Sequence, residues 1–177
     1  MLRLSHSLAA VGPVLGLLLG SGGSPSAAED PYSPRLLLRS ERVVAATPGG
    51  YFPVLVRLRG DKLGAVLRGG APHLGLAGRL DWVISEDGGR TWGKRRVVVD
   101  SPWDDRNPAC GIMPDGTVVV AYEECHNYDE QGRYGKGPGG TRYMITRSSD
   151  EGATWTEPEP LDNPYGCPFG QMVTLDD

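Results

Sequence analysis

Short apolar runs separated by turn residues make up the pattern of this chain from about residue 50 onward. Residues 54–59 form one apolar run, a Gly-Asp-Lys turn ends it, and residues 63–68 form a second run. Residues 109–113 and 117–123 repeat this arrangement around a Pro-Asp-Gly turn. Because Asp-Gly and related turns between apolar runs are typical of tight β-connections, the pattern predicts two antiparallel hairpins.

An eight-residue motif follows each predicted hairpin. Residues 85–92 read Ser-Glu-Asp-Gly-Gly-Arg-Thr-Trp, and residues 148–155 read Ser-Ser-Asp-Glu-Gly-Ala-Thr-Trp. The shared Asp can accept hydrogen bonds from backbone N–H groups of its own turn, the Gly permits a positive φ, and the Trp can bury a large ring between sheets. The motif is therefore predicted to close a turn through eight structural residues: Ser85, Asp87, Gly89, Trp92, Ser148, Asp150, Gly152 and Trp155.

Each motif lies between two further predicted strands. Third strands are predicted at residues 80–85 and 142–148, and fourth strands at residues 94–100 and 157–161. Four antiparallel strands in each repeat make one blade of a β-propeller. The predicted fold class is therefore all-β, with four-stranded antiparallel blades.

The predicted blades are too few to close a ring. Blade one spans about residues 49–102, blade two spans about residues 103–163, and residues 164–177 provide the first strand of a third blade. Propellers are built from at least four or so blades. We therefore expect the chain to be the N-terminal fragment of a longer protein, and its own site to be incomplete.

Residues 1–28 have the features of a signal peptide. Arg3 precedes an apolar stretch at residues 8–19, and small residues predict cleavage after Ala28. The stretch is shorter than the ~18 apolar residues of a membrane-spanning helix, and an uncleaved membrane anchor is the alternative. The sequence therefore predicts a secreted or periplasmic protein with no membrane span after cleavage, in which residues 29–48 form a leader or an N-terminal strand.

Composition and charge narrow the possible partners. The 26 Gly and 15 Pro among 177 residues agree with many turns between short strands. The formal net charge is −4 and no basic stripe is present, so nucleic acid is not an expected partner. The sequence does not indicate an oligomeric state.

The cysteines and acidic residues do not predict a metal or a cofactor. With three cysteines, Cys110, Cys125 and Cys167, at least one thiol is free or lacks its disulfide partner. The alternative is that all three serve as small apolar strand residues. No Cys-x-x-Cys pair occurs, which gives no support for a zinc site. Residues 123–126 read Glu-Glu-Cys-His, but alternate strand residues point to opposite faces and cannot converge on one ion.

The two eight-residue motifs resemble the Asp-box, also called the bacterial neuraminidase repeat. From about residue 49 onward the chain resembles the sialidase superfamily. This resemblance implies a six-bladed propeller that acts as an exo-acting glycoside hydrolase on an extracellular glycan or glycoconjugate. Asp-boxes also occur in proteins of other function, because a fold does not fix an activity. A non-catalytic carbohydrate-binding or cell-surface propeller is therefore the alternative.

The resemblance also indicates where sialic-acid chemistry should lie. Sialidases begin blade one with Phe/Tyr-Arg-Ile-Pro, whose Arg binds the substrate carboxylate, whereas this chain reads Gly-Tyr-Phe-Pro with Tyr51 in place of the Arg. The acid/base Asp of the family falls near His73, and no acidic residue lies between Arg68 and Asp81. The other catalytic groups of the family come from later blades. We therefore expect a substrate that need not contain sialic acid.

Six residues near the predicted mouth of the propeller form the candidate site. They are His73, Asp104 and Asp105 as candidate catalytic residues, and Arg68, Arg106 and Tyr51 as candidate substrate-binding residues. An imidazole and paired carboxylates can exchange protons, and arginines can hold an anionic or hydroxylated ligand. The structural alternatives are a loop histidine satisfied by the backbone, an ion pair between Arg106 and an aspartate, and a capping or salt-bridge role for the two aspartates.

Overall fold

The computed structural model describes residues 41–137, 139–162 and 166–175, so the predicted signal peptide and the leader as far as residue 40 lie outside the described residues. The described residues contain nine β-strands and no helix, which confirms the all-β fold class. The strands are β1 (Tyr51–Arg57), β2 (Leu63–Gly69), β3 (Arg79–Ser85), β4 (Arg96–Val99), β5 (Asp104–Ile112), β6 (Val118–Cys125), β7 (Thr141–Ser148), β8 (Glu159–Pro160) and β9 (Gly170–Gln171). In this part of the chain no helix is long and apolar enough to cross a bilayer.

The nine strands form two sheets. The first sheet has the order β1-β2-β3-β4, and every neighbouring pair is antiparallel. The second sheet has the order β8-β7-β6-β5-β9, in which β5 to β8 are antiparallel neighbours and β9 lies parallel to β5. The sheets do not close into a ring, so the described fold is a partial propeller.

Residues 166–175 contain less regular structure than the sequence predicts. The sequence after Pro168 predicts a first strand that runs into a turn by residue 177, but β9 holds only two residues. Phe169 and Val173, on either side of it, are exposed. Among the described strands β9 has only one neighbour, β5, which limits the ladder that this segment can form.

Apolar side chains between the two sheets form the main core. Alternate residues on and just after β1 contribute Val54, Val56 and Leu58, because alternate strand residues point to the same face. The second sheet contributes alternate residues of β6 in the same way. The buried residues of this cluster are Val54, Val56, Leu58, Val66, Leu80, Trp82, Val98, Cys110, Val118, Val120 and Tyr122.

Trp82 joins the two sheets at the centre of this core. Its side chain is fully buried, and its Nε1 donates a hydrogen bond to the Glu151 carbonyl at 3.0 Å. Its ring meets that of Trp155 edge to face, with 5.6 Å between the ring centroids. A Cβ added at Gly64 or at Gly152 would lie 2.2 Å from the indole. Both positions therefore have to be glycine for the ring to fit.

The repeated eight-residue motif closes the turn between the third and fourth strands of each sheet. In the first copy, the Ser85 hydroxyl accepts a hydrogen bond from Gly89 N at 2.7 Å and donates one to Asp87 Oδ1 at 2.8 Å. Thr91 donates from its N at 2.8 Å and from its Oγ1 at 2.6 Å to the same carboxylate. The second copy repeats these four distances. The threonine hydrogen bonds are the largest cause that lowers the pKa of both aspartates to about 2.

The first strand of the second sheet begins earlier than the sequence predicts. Residues 104–107 precede the run predicted as this strand, residues 109–113, and are therefore expected in a loop, but β5 runs over Asp104–Ile112. Arg106 is the cross-strand partner of Glu123, and the register shifts beyond it, around Asn107 at φ +49°. A bulge at this point accommodates the proline that follows. The loop prediction is wrong because the charges of this segment are paired inside the fold instead of being solvated.

Candidate functional site

The two sheets share one end, at which all six candidate site residues lie. Tyr51 begins β1 and Asp104 begins β5, while β2 and β6 end beside them. The loops between the second and third strands of each sheet leave from this end. The loops touch each other, because Tyr128 Oη accepts a hydrogen bond from Gly75 N at 2.9 Å. The shared end is therefore the candidate functional surface.

Asp104 is the centre of a buried polar network at this end. It is fully buried and accepts hydrogen bonds from Arg68 Nε at 3.0 Å and Nη2 at 2.5 Å. Arg106 Nη1 lies 3.3 Å from its other oxygen, to which Tyr128 Oη donates at 2.5 Å. Burial, and next the hydrogen bond to Asp104, raises the pKa of Tyr128 to about 12. Two guanidinium groups and a phenol therefore share one carboxylate. This arrangement corresponds to the salt-bridge role predicted from the sequence as the alternative for Asp104.

Arg68 holds the first loop in place. Besides the two bonds to Asp104, its Nη1 donates to the carbonyls of Ala71, at 3.3 Å, and Pro72, and its Nη2 donates to the Gly75 carbonyl at 3.1 Å. A guanidinium has five N–H donors, and these five hydrogen bonds use all of them. The arginine is also fully buried. This geometry gives Arg68 a positioning role and leaves it no donor for a ligand.

Asp105 caps the connection from β4 to β5. It is fully buried, and its two oxygens accept hydrogen bonds from the Ser101 N and Oγ, each at 2.8 Å. Burial raises the pKa of Asp105 to about 6 in spite of these bonds, and the charges of Glu124 and Asp100 add to the rise. Both oxygens are occupied, which corresponds to the capping alternative for Asp105.

Asp105→Asn is expected to stabilise the protein at pH 7. A folded-state pKa above the ordinary value means that folding favours the protonated form, so the free energy of unfolding falls as pH rises from about 4 to about 6. A neutral amide removes this loss, which amounts to about 3 kcal/mol. Urea denaturation between pH 4 and 8 should show a flatter profile for the variant. A less stable variant with the wild-type pH slope would contradict the expectation, and Asp129→Asn on the exposed loop is the control.

Arg106 is a nearly buried candidate residue with an unused hydrogen-bond donor. It is only 7% exposed, and its Nε is buried with no hydrogen-bond acceptor among the described residues. Glu123 Oε2 lies 3.9 Å from that atom. The guanidinium carbon lies 5.7 Å from the centre of the Tyr134 ring, within the range of a cation–π contact. Arg106 is therefore fixed at the edge of the polar network, and its Nε–H remains without an acceptor there.

Polar groups surround Arg106 on the face of β5 and β6 that points away from the first sheet. Asn107 Nδ2 donates a hydrogen bond to Glu123 Oε2, and the Cys167 thiol lies beside both residues. Partial burial, and next the charge of Glu123, raises the pKa of that thiol to about 11. We call this group the Arg106 cluster, which consists of Arg106, Asn107, Glu123, Tyr134 and Cys167.

Arg106 and Tyr51 occupy equivalent places in the two sheets. Phe52 at φ +54° and Asn107 at φ +49° each precede a proline, and the strand register shifts at both. The residues immediately before them are Tyr51 and Arg106. From the sequence, Glu123 was considered only as a metal ligand, and its pairing with Arg106 was not predicted. The shared x-Pro pair at the start of each first strand is the signal that could have placed Arg106 in a strand.

His73 and Tyr51 belong to an aromatic group at the same end. The His73 ring stacks on Tyr51 at a centroid distance of 6.0 Å and meets the edge of Phe52 at 5.2 Å. Phe52 in turn contacts Phe169 at 5.7 Å. The structure brings His73 together with aromatic rings, whereas Asp104 lies in the polar network and Asp105 caps the connection from β4 to β5. The three residues proposed as catalytic are thus placed in different surroundings.

The cysteines and the Glu-Glu-Cys-His run are dispersed. Glu124 accepts a hydrogen bond from His126 Nε2, with 2.6 Å between the two atoms, on the face opposite to Glu123. In the described ranges, no three His, Cys, Asp or Glu side chains are grouped so that they could hold a metal ion. Cys110 and Cys125 are buried free thiols within β5 and β6, and Cys167 is an exposed free thiol.

Solved structures provide the similarities of this chain to known proteins. No protein-family model matches the chain, and neither does any curated protein. A Hadza microbial sialidase has a TM-score of 0.54 at 21% identity, over 69% of this chain and 29% of that one. A Dyadobacter fermentans protein of unknown function gives 0.49 at 21% identity, over 66% and 36% of the two chains. The intramolecular trans-sialidase from Ruminococcus gnavus gives 0.49 at 11%, over 70% and 52%.

The similarity covers only part of the sialidase chain. The chain spans 29% of the length of the sialidase with the TM-score of 0.54. At 21% identity, the similarity shows a shared sialidase-type propeller fold and leaves the chemistry to be argued from the site.

Proposed function

We propose that this chain is part of an exported glycoside hydrolase with the sialidase fold, acting from the chain end of extracellular glycans. In this proposal the two eight-residue motifs are Asp-boxes, residues 1–28 are a signal peptide, and the Arg106 cluster contributes to the substrate site. The fold likeness to a sialidase and the matching hydrogen bonds of the two motifs support it.

The single observation that carries the proposal is the free donor of Arg106. An arginine that is nine-tenths buried, fixed by Asp104 and by an aromatic ring, and left with an unsatisfied N–H is preorganised for an acceptor from a ligand. Sugar carboxylates and hydroxyls are such acceptors. Glu123 beside it can accept hydrogen bonds from sugar hydroxyls. The cluster thus offers both kinds of polar group that a glycan requires.

The position of Arg106 also bears on the choice of sugar. The Arg-x-Pro order that sialidases carry in their first blade is present here as Arg106-Asn107-Pro108, whereas Tyr51 stands at the equivalent place in the first sheet. A guanidinium can bind a carboxylate through two parallel hydrogen bonds, which a phenol cannot do. Sialosides therefore belong in the test beside neutral glycosides.

The geometry of the aspartates favours a second candidate, a carbohydrate-binding propeller without catalysis. Asp104 and Asp105 are fully buried, and their oxygens are occupied by Arg68, Arg106, Tyr128 and Ser101. A general acid must reach the bond that it protonates. The described residues therefore offer binding groups more clearly than they offer an acid and a base.

Hydrolysis of fluorogenic glycosides tests the proposal. The protein expressed from its complete reading frame is assayed on a sialoside and on a panel of other glycosides, together with Arg106→Lys. Lysine keeps the charge that Asp104 needs but loses the forked donor, so kcat/KM for the preferred substrate is expected to fall about 100-fold. Arg133→Lys, which changes an exposed arginine of the neighbouring loop, is the matched control.

The outcomes separate the two candidates. Turnover that falls in Arg106→Lys and persists in Arg133→Lys supports the hydrolase. Glycan binding that falls in Arg106→Lys without any turnover supports the binding propeller. Turnover that is equal in both variants would remove the Arg106 cluster from the site.

A further inference from the structure

A groove runs between the first and second sheets on the side opposite to the Arg106 cluster. Its volume is about 450 Å³. The lining includes Val97 and Ser101 from β4 and the following connection, Tyr122 and Glu124 from β6, and Trp155 from the second eight-residue motif. Cavities of roughly 300 to 1,000 Å³ are the usual size of small-ligand sites. Every lining residue belongs to the two described sheets or to the turns beside them.

Two buried polar atoms in the groove lining have no partner. Tyr122 is fully buried, and its Oη has no hydrogen-bond partner within the described part of the chain. Trp155 Nε1 is likewise buried and unpaired there. Leaving such a group unsatisfied costs about 1 to 3 kcal/mol, so native proteins rarely leave two in one place without a ligand or water to bind them. Both atoms can donate a hydrogen bond.

The charges in the groove select the kind of ligand. Glu124 lines it and is almost fully buried, with one carboxylate oxygen bonded to His126 Nε2. Asp100 and Glu157 add further carboxylates, and none of the described lining residues is Lys or Arg. Arg142, which is exposed, lies outside the lining with its Nη1 4.0 Å from Glu124 Oε1. The negative charges of Asp105 and Glu124 add to the effect of burial and raise the pKa of the Tyr122 phenol, which therefore stays protonated. Such a surface repels an anionic sugar and accepts a neutral one.

We propose that this groove is a binding site for a neutral pyranose residue of a glycan. Tyr122 Oη and Trp155 Nε1 donate hydrogen bonds to sugar oxygens, and Glu124 accepts one from a sugar hydroxyl. The apolar lining, which includes Met144 and the Val97–Val99 side of β4, covers the C–H face of the ring. The site lies on the face of β5 and β6 opposite to Arg106 and does not use it.

Saturation-transfer NMR on the full chain tests this site. The probes are the methyl glycosides of glucose, galactose and mannose, with methyl glucuronide as the anionic comparison. At least one neutral glycoside is expected to bind, and the glucuronide is not. Tyr122→Phe removes only the unpaired hydroxyl and is expected to weaken binding about five- to tenfold. Tyr143→Phe, on the opposite face, is the matched control and should bind as the wild type does.

Further variants and the Tm distinguish a loss of binding from misfolding of the Tyr122→Phe variant. The Tm of Tyr122→Phe should equal or exceed that of the wild type, since the hydroxyl has no hydrogen-bond partner among the described residues. Glu124→Gln removes a charge and should narrow the preference for the neutral glycoside over the glucuronide. Arg106→Lys should leave binding here unchanged, which separates this site from the proposed hydrolase site. No saturation transfer to any neutral glycoside, or binding unaffected by Tyr122→Phe, would overturn the proposal that this groove binds a sugar.

Discussion

Gly152→Ala is expected to lower the free energy of unfolding by about 3 to 4 kcal/mol. Gly152 has φ +85°, a conformation that costs a residue with a Cβ about 1 kcal/mol or more. The new Cβ would also lie 2.2 Å from Trp82 Nε1 and 2.5 Å from Cδ1. Trp82 is fully buried between the sheets and cannot move away without disturbing the core. Strain and overpacking therefore act together.

Gly89, the equivalent glycine of the first motif, provides a matched control. It has φ +91°, but the nearest atom to an added Cβ is Leu63 Cδ1 at 3.3 Å, the end of a flexible side chain. Gly89→Ala should therefore lower the free energy of unfolding only through backbone strain, by about 1 kcal/mol. Urea denaturation of both variants measures the difference. Equal losses would show that the contact between Gly152 and Trp82 is not important for stability.

The two motifs have the same internal hydrogen bonds but different neighbours. The second motif docks on the first sheet, since the Glu151 carbonyl accepts the Trp82 indole N–H and Lys62 Nζ lies 2.8 Å from Glu151 Oε2. Trp92 of the first motif packs instead on a smaller cluster around Leu67 and Val83. The same motif therefore produces one turn that joins two sheets and one that packs on its own sheet.

Local sequence was enough to predict most of the strands. Residues 63–68 and 80–85 were expected as strands and are found within one residue of those limits, as β2 (Leu63–Gly69) and β3 (Arg79–Ser85). Turn residues and apolar runs act over a few residues, so the sequence carries this information directly. The all-β class follows from the same signals and is confirmed.

Contacts between distant residues could not be predicted from local sequence. Asp104 and Asp105 have the polarity of a loop, and only their pairing with groups elsewhere allows them to lie buried in a strand. Arg68 was a candidate ligand because arginines bind anions, but it lies 36 residues from the aspartate that neutralises it. The Arg106 cluster depends in turn on the bulge at Asn107. The chemistry of each residue could be named, whereas its partner could not.

Asp104→Asn is expected to be strongly destabilising, by about 3 to 5 kcal/mol. The carboxylate is the shared acceptor for Arg68, which is fully buried, and for Arg106, which is nearly so. An amide cannot neutralise either guanidinium, and its N–H₂ would face their donors. Removing one member of a buried charge network leaves the other charges uncompensated, which costs more than the network contributed. The loop held by Arg68 should also become more accessible to protease.

A surface ion pair and a double variant test whether burial causes the destabilisation expected for Asp104→Asn. Asp129 pairs with Arg133, which is exposed, so Asp129→Asn should cost about 1 kcal/mol at most. Combining Asp104→Leu with Arg68→Met removes a buried charge of each sign, and the loss should be smaller than the sum of the single variants by about 2 kcal/mol. Additive losses would mean that the two side chains act independently. Coupled losses would show that Asp104 and Arg68 are one structural unit, because neither charge can remain buried without the other.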